Sequence, residues 1–272
     1  MKLGGRVAII TGTSPNIGGG IAEALAAAGA SIVAIDAQQQ NADGCANAIK
    51  AAGGSAIGIV CDVTDDAAVK AAVDKAMETY GRVDILVNNA AYFHERTIAE
   101  MELPGWRRVI SVILDGSFLF TKYATAKMLE GGRGGVVINV ISTTGHQGAP
   151  GNIAYATAKA GMLNFTQSAA MEFAAQNIRV VSLTPTATSF EEKPARAKRW
   201  NVDVGSMDHV GPMSQKYAKR IPLQRLPNAS DYGAAAVFLA SDDATMITGI
   251  DLRVDGGAVA RYWAWDPSKP GA

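Results

Sequence analysis

Val7-Ala8-Ile9-Ile10-Thr11-Gly12-Thr13-Ser14-Pro15-Asn16-Ile17-Gly18-Gly19-Gly20, continued by the alanine-rich run Ile21 to Ala28, decides how the rest of the chain is read. The apolar residues make a short strand, the glycines a tight turn, and the alanines a helix. In that order they can hold a pyrophosphate, because the helix start offers unpaired N–H groups. Gly12, Asn16, Ile17 and Gly18 are the candidate contacts. The next strand, Ser31-Ile32-Val33-Ala34-Ile35, ends at Asp36, where a carboxylate can accept hydrogen bonds from an adenosine ribose. Such a carboxylate repels a 2′-phosphate, and Ala37 and Gln38 bring no arginine to receive one, so NAD is expected over NADP. The plainer reading of Asp36 is an exposed loop carboxylate; its place directly after the second strand favours the ribose.

Outward from this unit the alternation continues. Apolar strands near Ala56–Val60, Ile85–Asn88, Val136–Ile141 and Val180–Leu183 alternate with helical stretches near Cys45–Ala52, Ala67–Tyr80, Trp106–Leu129 and Tyr155–Gln176. That pattern predicts right-handed crossovers and a parallel sheet with helices on both faces. No linker interrupts it up to Gly257, so the 272 residues read as one α/β domain. The stretch 186–217 breaks the pattern, and its charged residues, from Glu191 to Arg199, predict a mobile flap outside the core.

Composition narrows the function. A hydrophobic content of 48% with 18% charged residues implies ample burial, and a formal net charge of zero gives no reason to expect nucleic acid or an anionic membrane as partner. Cys45 and Cys61 are too few for a disulfide framework, and His94, His146 and His209 are scattered, so no metal site is expected. The start Met1-Lys2-Leu3-Gly4-Gly5-Arg6 lacks the apolar stretch of a signal peptide, and no run approaches the ~20 apolar residues of a membrane span. A cytoplasmic protein is expected.

The chemistry is concentrated at Tyr155-Ala156-Thr157-Ala158-Lys159. A gap of four on a helix sets phenol and ammonium on one face, and a lysine beside a tyrosine favours the phenolate. Most such pairs are surface contacts on amphipathic helices. Here Ser142 stands thirteen residues upstream, at the carboxyl end of the run Val136–Ile141, where a side chain points into the ligand crevice of a parallel sheet.

These segments resemble the short-chain dehydrogenase/reductase family from Gly4 to about Val259. The likeness is carried by Thr11-Gly12 with Ile17-Gly18, Cys61-Asp62-Val63, Asp84 to Ala90, Ser142, Tyr155 and Lys159, Ile178-Arg179-Val180, Pro185, Phe238 to Asp242 and Val254 to Gly257. The resemblance implies a Rossmann-like, doubly wound, seven-stranded parallel sheet whose last strand is Leu252-Arg253-Val254. It implies cofactor contacts at Asp62 and Val63 beside the adenine, at Asn89, and at Pro185 and Thr188 around the nicotinamide. It also implies a homotetramer. By the same resemblance Ser142 bonds the substrate oxygen, Tyr155 as phenolate takes the alcohol proton, and Lys159 lowers the tyrosine pKa and holds ribose hydroxyls while hydride passes to NAD.

Three positions depart from the family pattern: Asn16 and Thr186 stand where glycines are usual, and Ile113 where an asparagine usually holds a water in a proton relay. Asparagine tolerates left-handed dihedrals, so the turn at 16 is expected to form; Ser111, Asp115 or Ser117 are the candidates to replace the lost amide. The expected substrate is a cyclic or aromatic secondary alcohol or its ketone, in a pocket drawn from Tyr92, Phe93, His94, Thr144, His146, Gln147, Trp200 and Met207, with Arg196 and Arg199 as the nearest candidates for an anion. A 3-oxoacyl thioester reductase and a nucleotide-binding sensor with weakened catalysis are the alternatives. The tail after 259 carries Tyr262, Trp263 and Trp265, aromatics expected to pack across a subunit boundary or on their own subunit.

Overall fold

The computed structural model describes residues 1–205, 216–262 and 266. Seven strands form one parallel sheet: β1 (Val7–Thr11), β2 (Ser31–Asp36), β3 (Ala56–Val60), β4 (Ile85–Asn88), β5 (Gly135–Val140), β6 (Ile178–Pro185) and β7 (Asp251–Val254). They lie in the order β3-β2-β1-β4-β5-β6-β7. Between them run α1 (Ile17–Ala27), α2 (Gln39–Ala51), α3 (Asp66–Tyr80), α4 (Leu103–Ile110), α5 (Gly116–Gly131), α6 (Ile153–Phe173), α7 (Lys193–Trp200) and α8 (Ala229–Ala240).

Alternate strand residues face opposite layers, as a period of two demands. Ala8, Ile10, Ile32, Ala34, Ile85 and Val87 pack with Ile21 and Leu25 of α1, Cys45 and Ile49 of α2, and Tyr232 and Leu239 of α8. Val7, Ile9, Val33, Ile35 and Leu86 pack with Val69 and Val73 of α3, Phe120 and Met128 of α5, and Ala170 of α6. Chain order reverses between β1 and β4, and the crevice beyond their carboxyl ends is where such sheets bind ligands.

The sequence expectations hold for the sheet and differ in three helices. First, α2 begins at Gln39, six residues before the periodic apolar pattern does, because the Asp36 carboxylate accepts the Gln38 N–H at 2.9 Å and Asn41 Nδ2 at 3.2 Å and so tethers its first turn. Second, Leu103–Gly131 is continuous but passes through a π-helical turn at Ser111–Asp115, between α4 and α5. This helix has the length and apolar content to cross a membrane, yet half of its most apolar window is buried inside the fold, through residues such as Val109, Ile113, Phe120 and Met128.

The third difference corrects the expectation of a flap outside the core. Trp200 and Val202 belong to the core cluster between α1 and α2, Trp200 being only 4% exposed. The charges that suggested a solvated segment are paired: Glu23 of α1 accepts from Arg196 Nε, Arg199 Nη2 and Trp200 Nε1, each at 2.9 Å. Glu192 binds Arg196 Nη2 at 3.1 Å and the N–H of Ser230, the second residue of α8, at 3.1 Å. Glycines make room for the indole. A Cβ on Gly19 would stand 2.4 Å from Trp200 Cη2, and one on Gly44 3.0 Å from the Trp200 carbonyl. Trp200, Arg196 and Arg199 are therefore committed to the α1 and α2 face, away from any pocket or anion site they were expected to serve. Met207, His209, Trp263 and Trp265 lie outside the described residues; Tyr262 is 65% exposed.

Candidate active site

The glycine-rich turn follows β1 because two close approaches admit no side chain. Gly12 has φ +69, and a Cβ there would lie 2.9 Å from Ala90 Cα. A Cβ on Gly18 would lie 2.2 Å from the Gly12 carbonyl oxygen and 2.5 Å from Asn89 Nδ2. Asn16 differs from expectation: its φ is −124, so the left-handed residue of this turn is Gly12, and asparagine is accommodated without any left-handed demand. Across the crevice, Thr11 Oγ1 accepts the N–H groups of Asn89 at 3.0 Å and Ala90 at 3.1 Å, while Asn89 Nδ2 donates to the carbonyls of Thr11 at 3.1 Å and Gly12 at 2.8 Å. These bonds sew β4 to β1 at the mouth of the crevice.

A cleft of about 300 Å³ runs along this mouth. Gly12, Asn16, Ile17, Gly18, Asp36 and Asn89 line one end, and Tyr155, Lys159 and Pro185 the other. Sequence reasoning missed Ser14, Asn41 and Ala91, which also line it; of these only Asn41 left a signal, an amide one helical turn past Asp36. Both bonds that Asp36 accepts from Gln38 and Asn41 fall on Oδ1. Burial raises the Asp36 pKa above the usual carboxylate value, with those two donors acting in the opposite sense.

Three expected contacts, Asp62, Val63 and Thr188, lie outside the residues that line this cleft. Asp62 Oδ1 accepts the N–H and hydroxyl of Thr64 at 3.0 and 2.7 Å, and Oδ2 pairs with Arg108 at 3.1 Å; burial alone would raise its pKa, but these donors bring it below the usual value. Val63 packs against Gly116, where a Cβ would meet its Cγ2 at 2.7 Å. Thr188 likewise turns away, its Oγ1 on the Thr186 carbonyl at 3.1 Å and 3.2 Å from the Tyr232 hydroxyl of α8.

At the other end, the gap of four on α6 sets Lys159 Nζ 5.6 Å from the centre of the Tyr155 ring. Lys159 Nζ donates to the Val140 carbonyl, the last of β5, at 2.6 Å. Phe93 stacks on the tyrosine, ring centres 4.5 Å apart. Burial pushes the Tyr155 phenol up to about 12, with the Ser142 hydroxyl acting to lower it, and pushes the Lys159 ammonium down to about 7. Desolvation dominates both groups in this state of the protein. Above about pH 7 the pair carries a vacant proton site between them.

Ile113 is 1% exposed and packs with Ile141, Ala154, Tyr155, Ala158 and Met162. The wall beside the tyrosine is apolar here. The three candidates to replace an amide do not stand in for it: Ser111 Oγ donates to the Arg108 carbonyl at 3.2 Å, Asp115 is exposed, and Ser117 offers its carbonyl to Asn88 Nδ2 at 3.5 Å. His146, expected near the substrate, points inward to β6 and β7, and Gln147 is exposed. Tyr92 and His94 stack on one another, with ring centres 6.4 Å apart.

The glycine turn, the Asp36 carboxylate and the tyrosine–lysine pair share one cleft at the carboxyl edge of a parallel sheet, the arrangement of a dinucleotide-binding oxidoreductase fold. Residues 12–259 match a family model described as Enoyl-(Acyl carrier protein) reductase. The chain is 35% identical over 256 residues to the D-threitol dehydrogenase of Mycolicibacterium smegmatis, covering 94% of each chain. It is 37% identical over 256 residues to the cis-4-hydroxycyclohexanecarboxylate dehydrogenase of Sinomonas cyclohexanicum, covering 94% of this chain and 97% of that one. A crystal structure of a short-chain type dehydrogenase/reductase from Mycobacterium marinum superposes with a TM-score of 0.85 at 28% identity, over 96% of this chain and 98% of that one. The chain belongs to the short-chain dehydrogenase/reductase family. Dehydrogenases of this family use NAD(P), and the cleft fits that group: the glycine turn and the start of α1 line it through Gly12, Asn16, Ile17 and Gly18, and Asp36 lines it beside them.

Proposed function

We propose that the protein is an NAD-preferring oxidoreductase that interconverts a secondary alcohol, cyclic or aromatic, and its ketone, acting as a cytoplasmic homotetramer. The observation that carries this reading is that Tyr155 and Lys159 share one cleft with Asp36 and the glycine turn. Gly12, Asn16, Ile17, Gly18 and Asn89 would hold the dinucleotide phosphates and ribose, and Asp36 Oδ2 would accept the adenosine ribose hydroxyls. Bound there, the nicotinamide supplies the hydride acceptor or donor. Ser142 orients the substrate oxygen, Tyr155 exchanges its proton, and Lys159 takes or returns the charge beside the phenol. Phe93, an exposed ring over Tyr155, forms an apolar wall suited to a flat or cyclic substrate.

The test is dinucleotide reduction by purified protein with NAD and NADP in parallel, against cyclic, aryl and aliphatic secondary alcohols. NAD should exceed NADP by at least about tenfold in kcat/KM, the effect of roughly 1.4 kcal/mol of repulsion at Asp36, and cyclic or aryl alcohols should lead the panel. NADP preference with turnover of a 3-oxoacyl thioester would replace this reading with that of a 3-oxoacyl thioester reductase. Dinucleotide binding without turnover of any alcohol or ketone would favour a sensor, for which the apolar Ile113 speaks.

The pair also predicts a pH profile. Below about pH 7 both groups hold protons and neither can take the alcohol's, so kcat/KM for oxidation should fall about tenfold per unit toward acid and level off above. Ketone reduction draws its proton from the Tyr155 phenol, which keeps it up to about pH 12, and should stay level through that point. Measuring both directions with Lys159→Met as control, whose oxidation profile should lose this step, checks the assignment.

A further inference from the structure

The Ser142 hydroxyl is held from one side by the residue two places on. Thr144 N–H donates to Ser142 Oγ at 3.2 Å, and Thr144 Oγ1 donates to the same atom at 3.0 Å. A serine hydroxyl has two acceptor sites and one proton. With both acceptor sites filled, the proton is left to be given away. The turn that makes these bonds is fixed to the sheet and to α6. His146 Nε2 lies 3.0 Å from Thr184 Oγ1 and 3.2 Å from Asp251 Oδ2; the Thr184 hydroxyl gives its own proton to Asp251 Oδ1 at 2.8 Å, so the imidazole is the donor to Thr184. Thr143 Oγ1 reaches Thr186 Oγ1 at 3.4 Å, and a Cβ on Gly145 would stand 2.9 Å from the Lys159 carbonyl carbon.

From this geometry we propose that Thr144 is a positioning residue that makes Ser142 an obligate hydrogen-bond donor, toward Tyr155 in the free protein and toward the substrate oxygen once substrate is bound. The inference rests on the roles of Ser142 and Tyr155 given above and deepens them. Without the Thr144 hydroxyl, the serine has an open acceptor site and can rotate to receive the tyrosine's proton, which stabilises the phenol against the phenolate. With it, donation to the phenolate is the arrangement left, and bonds accepted by an oxygen strengthen the one it gives.

The test uses the full chain with Thr144→Val, which keeps the shape and the backbone N–H, and Thr144→Ser, which restores a hydroxyl. Tyrosines are replaced biosynthetically by 3-fluorotyrosine, whose phenol is more acidic, and the ¹⁹F resonance of residue 155 is assigned by its loss in Tyr155→Phe. The midpoint of its titration should rise by about half a pH unit in Thr144→Val, a threefold change in proton affinity, and return in Thr144→Ser. With cyclohexanol as substrate, kcat should fall about threefold to tenfold in the valine variant, the worth of one hydrogen bond, with KM and NADH affinity unchanged. An unmoved midpoint in Thr144→Val, or a serine variant that fails to restore it, overturns the proposal. If the wild type oxidises neither cyclohexanol nor any other alcohol, the functional reading falls while the titration still decides this one.

Discussion

Tyr155→Phe should lower turnover by about 10²–10⁴-fold, the usual worth of a positioned acid/base, and leave dinucleotide affinity unchanged. The substitution removes one oxygen and nothing else that packs. The phenyl ring can keep its stack on Phe93, with centres 4.5 Å apart, and its place 5.6 Å from Lys159 Nζ. Because the phenol is buried and its pKa lies near 12, its loss also takes away a polar group in an apolar wall made by Ile113, Ile141 and Met162, so stability should hold or rise slightly. Steady-state rates in both directions, set beside NADH fluorescence titrations, give the comparison. Wild-type turnover in the variant would remove Tyr155 from the chemistry, whereas equal losses of turnover and NADH affinity would make it part of the binding wall.

The second large effect is on stability. Glu23→Gln keeps one acceptor but leaves Arg196 and Arg199 without the carboxylate that three α7 donors share. Arg199 is half exposed and counts for little, while Arg196, 6% exposed along its side chain, would stay buried facing only Glu192. Breaking a buried pair costs about 3–5 kcal/mol, and since Glu23 is itself partly open to water, about 2–3 kcal/mol is expected here. Thermal unfolding should come roughly 5–10 °C lower, and Trp200, freed from its bond to Glu23, should become accessible to acrylamide quenching in the native state. An unchanged midpoint with an unquenched indole would mean that the apolar packing on Gly19 and Gly44 fixes α7 without the charges.

What the chain disclosed before folding depended on how local each signal was. The strands read correctly because Val7 to Ile10 or Val136 to Ile138 are apolar over their whole length, and the glycine turn because steric exclusion at Gly12 and Gly18 acts within two adjoining elements. Helix α7 was hidden because Arg196 and Arg199 look solvated until Glu23, more than 170 positions earlier in the chain, is brought against them. The ion pair of Asp62 was hidden for the same reason, since its partner Arg108 arrives from another helix. A π-helical turn at Ser111–Asp115 leaves no periodic trace in five residues. His146 reads as a pocket residue from its distance to Ser142, and only the pairing of β6 with β7 shows an acceptor waiting on the inner side.

The seam between β1 and β4 divides the chain into two stretches that can change at different rates. Residues ahead of Asn89 build the end of the cleft that carries Asp36, a task whose geometry does not depend on the compound being transformed. Those behind it build the end that carries Tyr155 and the loops around it. New specificities can therefore accumulate in the later stretch while the earlier one stays fixed. Helix α7 limits this independence: it comes from the later stretch and is anchored on Glu23 and Gly19 of the earlier one. Grafting the segment after Pro185 from a relative would carry a side chain as large as Trp200, or a smaller one, onto a groove shaped for this indole. Such exchanges should succeed as matched sets with α1 and α2, and fail as single loop swaps.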